Sequence, residues 1–197
     1  MRYENAPSLQ VPAPFGAHNW HPMAFNPKEN LVYIPAQVIP FAYTPDKGYS
    51  YRAGGWNVGT DFLANALPTD KAQIAALKAM VKGELIAWDP VAQKARFTIQ
   101  HPYFWNAGVL STGGGLIFQG AAQGEFAAYS ASDGKKLWSY QTDNGVIAAP
   151  MTYELGGEQY VAQMVGYGGA GALSAPFVLP DRPRLPGRLL VFKLGGK

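Results

Sequence analysis

The sequence predicts an all-β fold, and three observations support this prediction. One pattern occurs twice, at residues 83–99 and 124–140, so that Gly83 superposes on Gly124 after a shift of 41 residues. Aromatic residues make up 13% of the chain, and charged residues make up only 15%. Glycine and proline contribute 23 and 16 residues. This density of turn formers and aromatics favours many short strands over a helical bundle.

Each copy of the pattern is typical of a β-hairpin. An apolar run is followed by a polar turn that contains Asp89 in the first copy and Asp133 in the second, and a second run with a large aromatic, Phe97 or Trp138, follows the turn. Aspartate favours such turns because its carboxylate accepts hydrogen bonds from nearby backbone N–H groups. A hairpin repeat with a period near 40 residues is the signature of a β-propeller blade.

Further copies of the repeat lie outside that pair. Trp20 and Trp105 are 85 residues apart, about two periods, and the same shift superposes residues 30–33 on residues 115–118. The sequence therefore predicts a partial β-propeller of about two to three blades. Propellers close with about four to eight blades, so the chain is interpreted as a piece of a larger propeller.

The N-terminal part of the chain is expected to be mostly irregular. The proline-rich residues 1–17 exclude a helix and any central strand. Residues 18–27 are predicted to form a loop that leads into a strand at 31–36, and residues 41–82 an irregular insertion with one helix.

The helix in the insertion is predicted to span residues 71–81. Thr69 and Asp70 provide an N-cap, and Gly83 is expected to end the helix. Its apolar stripe is interpreted as core; it consists of Ile74, Leu77, Met80 and Val81.

The C-terminal half is predicted to alternate strands and turns. Strands are expected at 147–151 and 158–164 around a glycine turn, and at 189–194 near the end of the chain. The glycine- and proline-rich residues 166–186 are expected to form a loop.

Composition excludes several function classes. The net charge is +3 and the pI is about 9.0, but the basic residues are scattered, which argues against nucleic-acid binding. There is no cysteine, so a disulfide, a thiolate metal site and a haem attachment motif are excluded within this stretch. The N-terminus shows no signal-peptide pattern, and no apolar run approaches the ~18 residues of a membrane span.

Four segments carry a resemblance to a known family. They read GAHNWHPMAFNP, PYFWNAGVLSTGGGLIFQGAAQGEFAAYSASDGKKLWSY, GVIAAPMTYELGGEQYVAQMVGYGGA and PGRLLVFKLGG. Together they closely resemble the C-terminal part of the quinoprotein alcohol dehydrogenases, in particular the type with a cytochrome c domain after the propeller. The resemblance covers nearly all of residues 1–197.

The resemblance implies a segment of an eight-bladed enzyme that uses pyrroloquinoline quinone (PQQ) and calcium. Such an enzyme oxidises a small primary alcohol to an aldehyde in the periplasm and passes electrons to a cytochrome c or a quinone. The expected partners are the remaining blades of the parent, and a haem c is expected in the parent outside this chain. The family's catalytic aspartate and calcium ligands are expected in the missing N-terminal part, so no catalytic or metal-binding residue is assigned here.

The resemblance also implies cofactor-binding residues where its motifs match. Asn19 and Trp20 of the HNW segment and Trp105 of the WNAGVL segment are expected to line the quinone site. In the glycine-rich turn that approaches the cofactor, the matching residues are Gly169 and Ala170.

Structural interpretations remain open beside these assignments. Trp20 and Trp105 occupy equivalent repeat positions and would also suit a scaffold, while Phe97 and Trp138 are interpreted as packing between blades. The three histidines are His18, His21 and His101, and they are expected to pack in loops. The alternative function is a non-catalytic propeller that acts as a scaffold or binding module.

Overall fold

The computed structural model describes residues 4–61, 69–168 and 185–194. The strands are β1 (Ser8–Gln10), β2 (Ala24–Asn26), β3 (Leu31–Val38), β4 (Phe41–Tyr43), β5 (Lys82–Asp89), β6 (Lys94–His101), β7 (Val109–Ser111), β8 (Leu116–Gly120), β9 (Glu125–Ser130), β10 (Lys136–Gln141), β11 (Met151–Leu155), β12 (Glu158–Val165) and β13 (Arg188–Lys193), and the helix is α1 (Lys71–Met80). The prediction of a β fold with one short helix is confirmed.

Three antiparallel sheets form the body of the structure. The first sheet has the order β2-β3-β5-β6, the second β7-β8-β9-β10 and the third β11-β12-β13, while β1 and β4 form a separate pair. The two copies of the sequence pattern are the hairpins β5-β6 and β9-β10. Each hairpin has one extra residue in its second strand, Arg96 in one and Leu137 in the other. These bulges lie 41 positions apart, so the repeat extends to an irregularity of the backbone.

Successive sheets pack face to face through apolar side chains. Between the first and second sheets, the fully buried Tyr33 donates a hydrogen bond from its hydroxyl to the carbonyl of Ala131, at 2.6 Å. Between the second and third sheets, the ring of Phe192 lies 5.6 Å from that of Phe126 and 5.1 Å from that of Trp138. Full burial of a large apolar side chain contributes about 1.5–3 kcal/mol, and Trp138, which stays 39% exposed, contributes only part of this. Trp138 therefore packs between sheets as predicted, and Phe97 does the same against Gly134.

The first strands of the first two sheets lie side by side. The Asn26 side chain donates to the Ser111 hydroxyl at 3.2 Å, and the Lys28 ammonium donates to the Gly113 carbonyl at 2.6 Å. The sheets thus converge at β2 and β7, which is how blades of a propeller meet around its axis.

The helix differs from its prediction at its C-terminal end and in its apolar stripe, while its predicted N-cap is confirmed. It ends at Met80, and Gly83 lies within β5 instead of ending the helix. Asp70 is the N-cap, and its carboxylate accepts a hydrogen bond from the Gln73 N–H at 2.9 Å. The stripe residues within α1 are not core, because no residue of the helix is buried and Met80 is 50% exposed. Val81, which follows the helix, is buried as predicted and belongs to the same core cluster as Trp105. The strands that flank the helix, β3 and β5, pair directly with each other, which leaves α1 on the connection between them, outside the stack of sheets.

Smaller differences concern short strands. Residues 18–27 contain β2, residues 41–43 form β4, and the strand expected at 147–151 begins only at Met151. His101 ends strand β6 instead of lying in a loop, and its ring nitrogen bonds the Gln119 side chain at 2.9 Å. Within residues 4–17, the proline-rich N-terminus contributes β1, whose partner is β4, and no central strand forms there, as predicted.

Candidate functional site

Five aromatic rings meet where the first and second sheets converge. The ring cluster consists of Phe15, Trp20, His21, Phe104 and Trp105. Trp105 lies at its centre, with ring centroids 5.7 Å from Phe15, 6.2 Å from Trp20, 5.2 Å from His21 and 5.8 Å from Phe104. Trp20 and His21 stack at 4.0 Å with an interplanar angle of 24°. Two of the residues predicted from the sequence, Trp20 and Trp105, are therefore brought together.

The repeat explains why these two tryptophans meet. Trp20 lies four residues before β2, and Trp105 lies four residues before β7, so each is on the loop that leads into the first strand of its sheet. The two loops touch: the Val109 N–H donates to the Pro22 carbonyl at 2.9 Å. A Cβ on Gly108 would lie 2.4 Å from Pro22, which shows how closely the loops approach.

Trp105 has an unusual backbone and an unpaired indole. Its φ is +57°, in the left-handed region that bulky residues rarely adopt. Such a conformation costs about 1–3 kcal/mol and is found mainly where function requires it. The side chain is only 2% exposed, and its Nε1–H is buried without a hydrogen-bond partner. A buried donor without a partner is uncommon in folded proteins, and it makes Trp105 a candidate binding residue.

His21 contacts both indoles and is buried. It is 5% exposed, and its Nε2 has no hydrogen-bond partner. Burial, with a smaller contribution from the nearby His18, lowers the pKa of His21 to about 4. The imidazole is therefore neutral at pH 7.

Asn19 of the HNW segment lies at the rim of the ring cluster. The Asn19 side chain is exposed, and its amide N–H donates to the Phe15 carbonyl at 2.9 Å. Trp20 is 54% exposed, so it presents one accessible aromatic surface next to that amide.

Asn106 and Gly83 hold the loop that carries Trp105. The Asn106 side chain donates to the Tyr103 carbonyl at 2.7 Å and accepts from the Ala122 N–H at 3.0 Å. A Cβ on Gly83 would lie 1.9 Å from the Asn106 amide nitrogen and 2.4 Å from the Tyr103 carbonyl oxygen. Sequence reasoning found Gly83 as part of the repeat but not this role, and it passed over Asn106; their close approach depends on the folded backbone.

The third predicted segment begins next to the same region. Tyr167 packs with Tyr103 on the buried residues Ala122 and Ile147, and its hydroxyl bonds the Ala122 carbonyl. Gly168, which follows it, is exposed. The predicted residues Gly169 and Ala170 lie outside the described residues.

Two further searches covered the described ranges. Within them, no group of three or more His, Cys, Asp or Glu side chains lies together in a way that would hold a metal ion. The one helix in the part of the chain that the structure describes is neither long nor apolar enough to cross a membrane.

Comparison with known proteins gives a consistent family. A family model described as "Glucose/ethanol/alcohol dehydrogenase, beta-propeller domain" matches residues 82–161. The quinohemoprotein alcohol dehydrogenase ADH IIB of Pseudomonas putida is 45% identical over 202 residues, a match that covers 100% of this chain and 28% of that protein. The quinohemoprotein alcohol dehydrogenase of Comamonas testosteroni is 44% identical over 200 residues, covering 97% of this chain and 26% of that protein.

Solved structures agree. The crystal structure of the Comamonas testosteroni quinohemoprotein alcohol dehydrogenase superposes with a TM-score of 0.83 at 42% identity, covering 100% of this chain and 29% of that one. A europium-containing methanol dehydrogenase, at 24% identity and a TM-score of 0.76, shares the fold.

The three radiating sheets and these matches define a segment of a quinoprotein β-propeller. The chain belongs to the PQQ-dependent alcohol dehydrogenases, and it spans only somewhat over a quarter of the length of the relatives it matches, 28% and 26% for the two named above.

Proposed function

We propose that this chain is the C-terminal propeller segment of an enzyme that oxidises small primary alcohols to aldehydes with PQQ. The observation that carries the proposal is the ring cluster, where an exposed indole, a buried strained indole and an amide meet at the convergence of two blades. A scaffold propeller has no need of a left-handed tryptophan with an unpaired N–H at this point.

The residues present fit a flat quinone cofactor. Trp20 provides an accessible aromatic face on which a planar ring system can stack, supported from behind by His21. Asn19 lies at the rim, where an amide can orient a carbonyl or carboxylate edge. Trp105 carries a buried donor that the protein itself leaves unpaired. We propose Asn19, Trp20 and Trp105 as cofactor-binding residues, with Gly169 and Ala170 in the same role on the basis of the resemblance.

When bound, PQQ supplies the hydride-accepting chemistry. The task of this chain is then to bind and orient the cofactor and to exclude water from one side of it. We place the proton-accepting aspartate and the calcium ligands in the remainder of the parent. A periplasmic location, residues 41–82 as an insertion, a haem c in the parent and a cytochrome c or quinone as electron acceptor complete the proposal.

The proposal is tested on the full-length parent that carries this segment. After reconstitution with PQQ and calcium, the parent should reduce an artificial dye in the presence of ethanol or 1-butanol, and omission of PQQ should abolish the reaction. Residues 1–197 alone, given the same additions, should show no turnover because the proposed proton acceptor is absent. A parent that neither binds PQQ nor oxidises alcohols would favour the scaffold function instead, and turnover by the isolated chain would contradict the segment interpretation.

A further inference from the structure

We infer that His21 is a positioning residue for the quinone site: its ring stacks on the exposed Trp20 and holds that indole in place next to the buried Trp105. The inference rests on the proposed function, because it assigns His21 a role in PQQ binding.

The three rings form a triangle in which the imidazole stacks on one of the indoles. His21 stacks on Trp20 at 4.0 Å with an interplanar angle of 24°, and it lies 5.2 Å from Trp105 at an angle of 46°. The two indoles also contact each other directly, with centroids 6.2 Å apart and planes tilted by 32°. Removing the imidazole would take away the stacked contact of Trp20 and leave only its tilted contact with Trp105.

The backbone of His21 is fixed to the second sheet. The next residue, Pro22, accepts a hydrogen bond from the Val109 N–H at 2.9 Å and leaves no room for a side chain on Gly108. The orientation of His21 is therefore set by the start of β7, while Trp20 extends beyond it with 54% of its surface exposed. A half-exposed indole has several rotamers available, and a stacked ring beneath it selects one of them.

The imidazole acts here through its shape. Its Nε2 is buried and unpaired, so no hydrogen bond from that atom holds the ring in position. Burial also keeps the ring neutral at pH 7, since the pKa of His21 is lowered. An aromatic residue of similar size should therefore replace it in this role, and an aliphatic residue should not.

The test uses three variants of the full-length apo-parent and two readouts, the dissociation constant for PQQ by equilibrium dialysis and the melting temperature. His21→Ala should weaken PQQ binding about 5- to 10-fold, the equivalent of one lost aromatic contact. His21→Phe should restore binding to within about twofold of wild type. His101→Ala is the matched control, because His101 is equally buried, at 4% exposed, but bonds Gln119 instead of stacking on an indole. It should lower the melting temperature and leave PQQ affinity unchanged.

Wild-type affinity in a folded His21→Ala variant would overturn the inference, as would a His21→Phe variant that binds as weakly as His21→Ala. If His21→Ala does not fold, His21→Leu takes its place with the same expected loss of affinity. A wild-type parent that does not bind PQQ would refute the proposed function. If the wild-type parent and His21→Ala bind PQQ equally well, only the role of His21 is refuted.

Discussion

Two buried polar atoms without partners, the Nε1–H of Trp105 and the Nε2 of His21, distinguish the ring cluster from an ordinary apolar core. Each such atom costs free energy, about 1–3 kcal/mol for a neutral group, and the left-handed backbone of Trp105 adds to that cost. A segment selected only for stability would remove the unpaired atoms with phenylalanine or leucine, and the backbone cost with glycine. Their retention is consistent with a binding site, where strain and unpaired groups are found more often than in cores.

The burial of His21 gives a pH dependence whose sign follows from its pKa. The folded protein holds the pKa of His21 at about 4, below its ordinary value of 6.5, because burial disfavours the charged form. Between those two values the unfolded chain takes up a proton that the folded chain does not, so folding stability is lost as pH falls from about 6.5 to 4. The loss from this residue is at most about 3 kcal/mol. Above pH 6.5 it contributes no pH dependence.

The measurement is the melting temperature of the parent and of His21→Phe between pH 4 and 7. Because phenylalanine cannot take up a proton, the advantage of His21→Phe over wild type should increase as pH falls through this window. The buried His101, whose pKa is also lowered by burial, remains in both proteins and cancels in the difference. A difference in melting temperature between the two proteins that stays constant from pH 7 to pH 4 would contradict a buried neutral His21.

The sequence predicts the meeting of the tryptophans but not the histidine that stacks on Trp20. The 85-residue spacing of Trp20 and Trp105 places them at equivalent points of successive repeats, and the structure brings them to 6.2 Å. His21 belongs to no repeat, and a single histidine carries no periodic signal. Its burial depends on the approach of the β7 loop, which no local pattern contains.

At the scale of elements, the repeated glycine lies where the backbone of one blade closely approaches the loop that leads into the next blade. Gly83 faces the loop that leads into β7, with Asn106 and Tyr103 in the space a side chain would need. Gly124 has the same role one blade later: a Cβ there would lie 2.6 Å from the Asn144 carbonyl, on the loop that leads into β11. The glycine that opens each hairpin pattern is thus kept for close approach of backbones.

Gly83→Ala in the parent should therefore disturb the ring cluster, although Gly83 itself is not part of it. Its Cβ would overlap the Asn106 amide, forcing the loop that carries Trp105 to move. We expect a loss of about 1–3 kcal/mol in stability, as for other overpacked positions, together with weaker PQQ binding. Gly113→Ala is the control, because a Cβ there meets nothing within 4 Å. Equal melting temperatures and PQQ affinities for the two variants would refute this role of Gly83.

The predictions of helices and strands were correct where the sequence pattern also determines which side of the element is buried. The hairpins β5-β6 and β9-β10 were correct because apolar alternation, turn aspartates and a repeated glycine all agree there. The prediction of a core stripe was wrong for Ile74, Leu77 and Met80, because apolar residues at helical spacing do not show which surface they face. Their position on the connection between the paired strands β3 and β5 leaves them no sheet to cover. Val81, which follows the helix, is buried as predicted in the same cluster as Trp105.

At the scale of the whole molecule, the third sheet has one covered face and one open face. Its covered face packs on the second sheet through residues such as Phe192. The strand register places alternate residues on the other face, and the large apolar side chains there are 38–67% exposed: Met151, Tyr153, Leu155, Met164, Leu189 and Val191. An apolar face of this kind is expected where another blade packs in the longer parent.

The isolated chain should consequently self-associate. We expect oligomers or aggregates whose size grows with concentration, measured by size-exclusion chromatography with light scattering. The double variant Leu189→Lys, Val191→Lys places two charges on the open face and should reduce association. A sharp monomeric peak for the wild-type chain at all concentrations would show that the open face does not require a neighbour.

The most direct measurement of the whole account is the PQQ affinity of a parent carrying Trp105→Ala. If the central indole of the ring cluster contributes to the quinone site, its loss removes an aromatic contact of about 1–3 kcal/mol, and affinity should fall about 5- to 150-fold. Trp138→Ala removes the same side chain from the contact between the second and third sheets, so it should lower the melting temperature and leave affinity unchanged. The PQQ affinities of the two variants are compared at a temperature at which each variant is folded. Unchanged PQQ affinity in Trp105→Ala, with only the melting temperature reduced, would contradict the account and make Trp105 a packing residue.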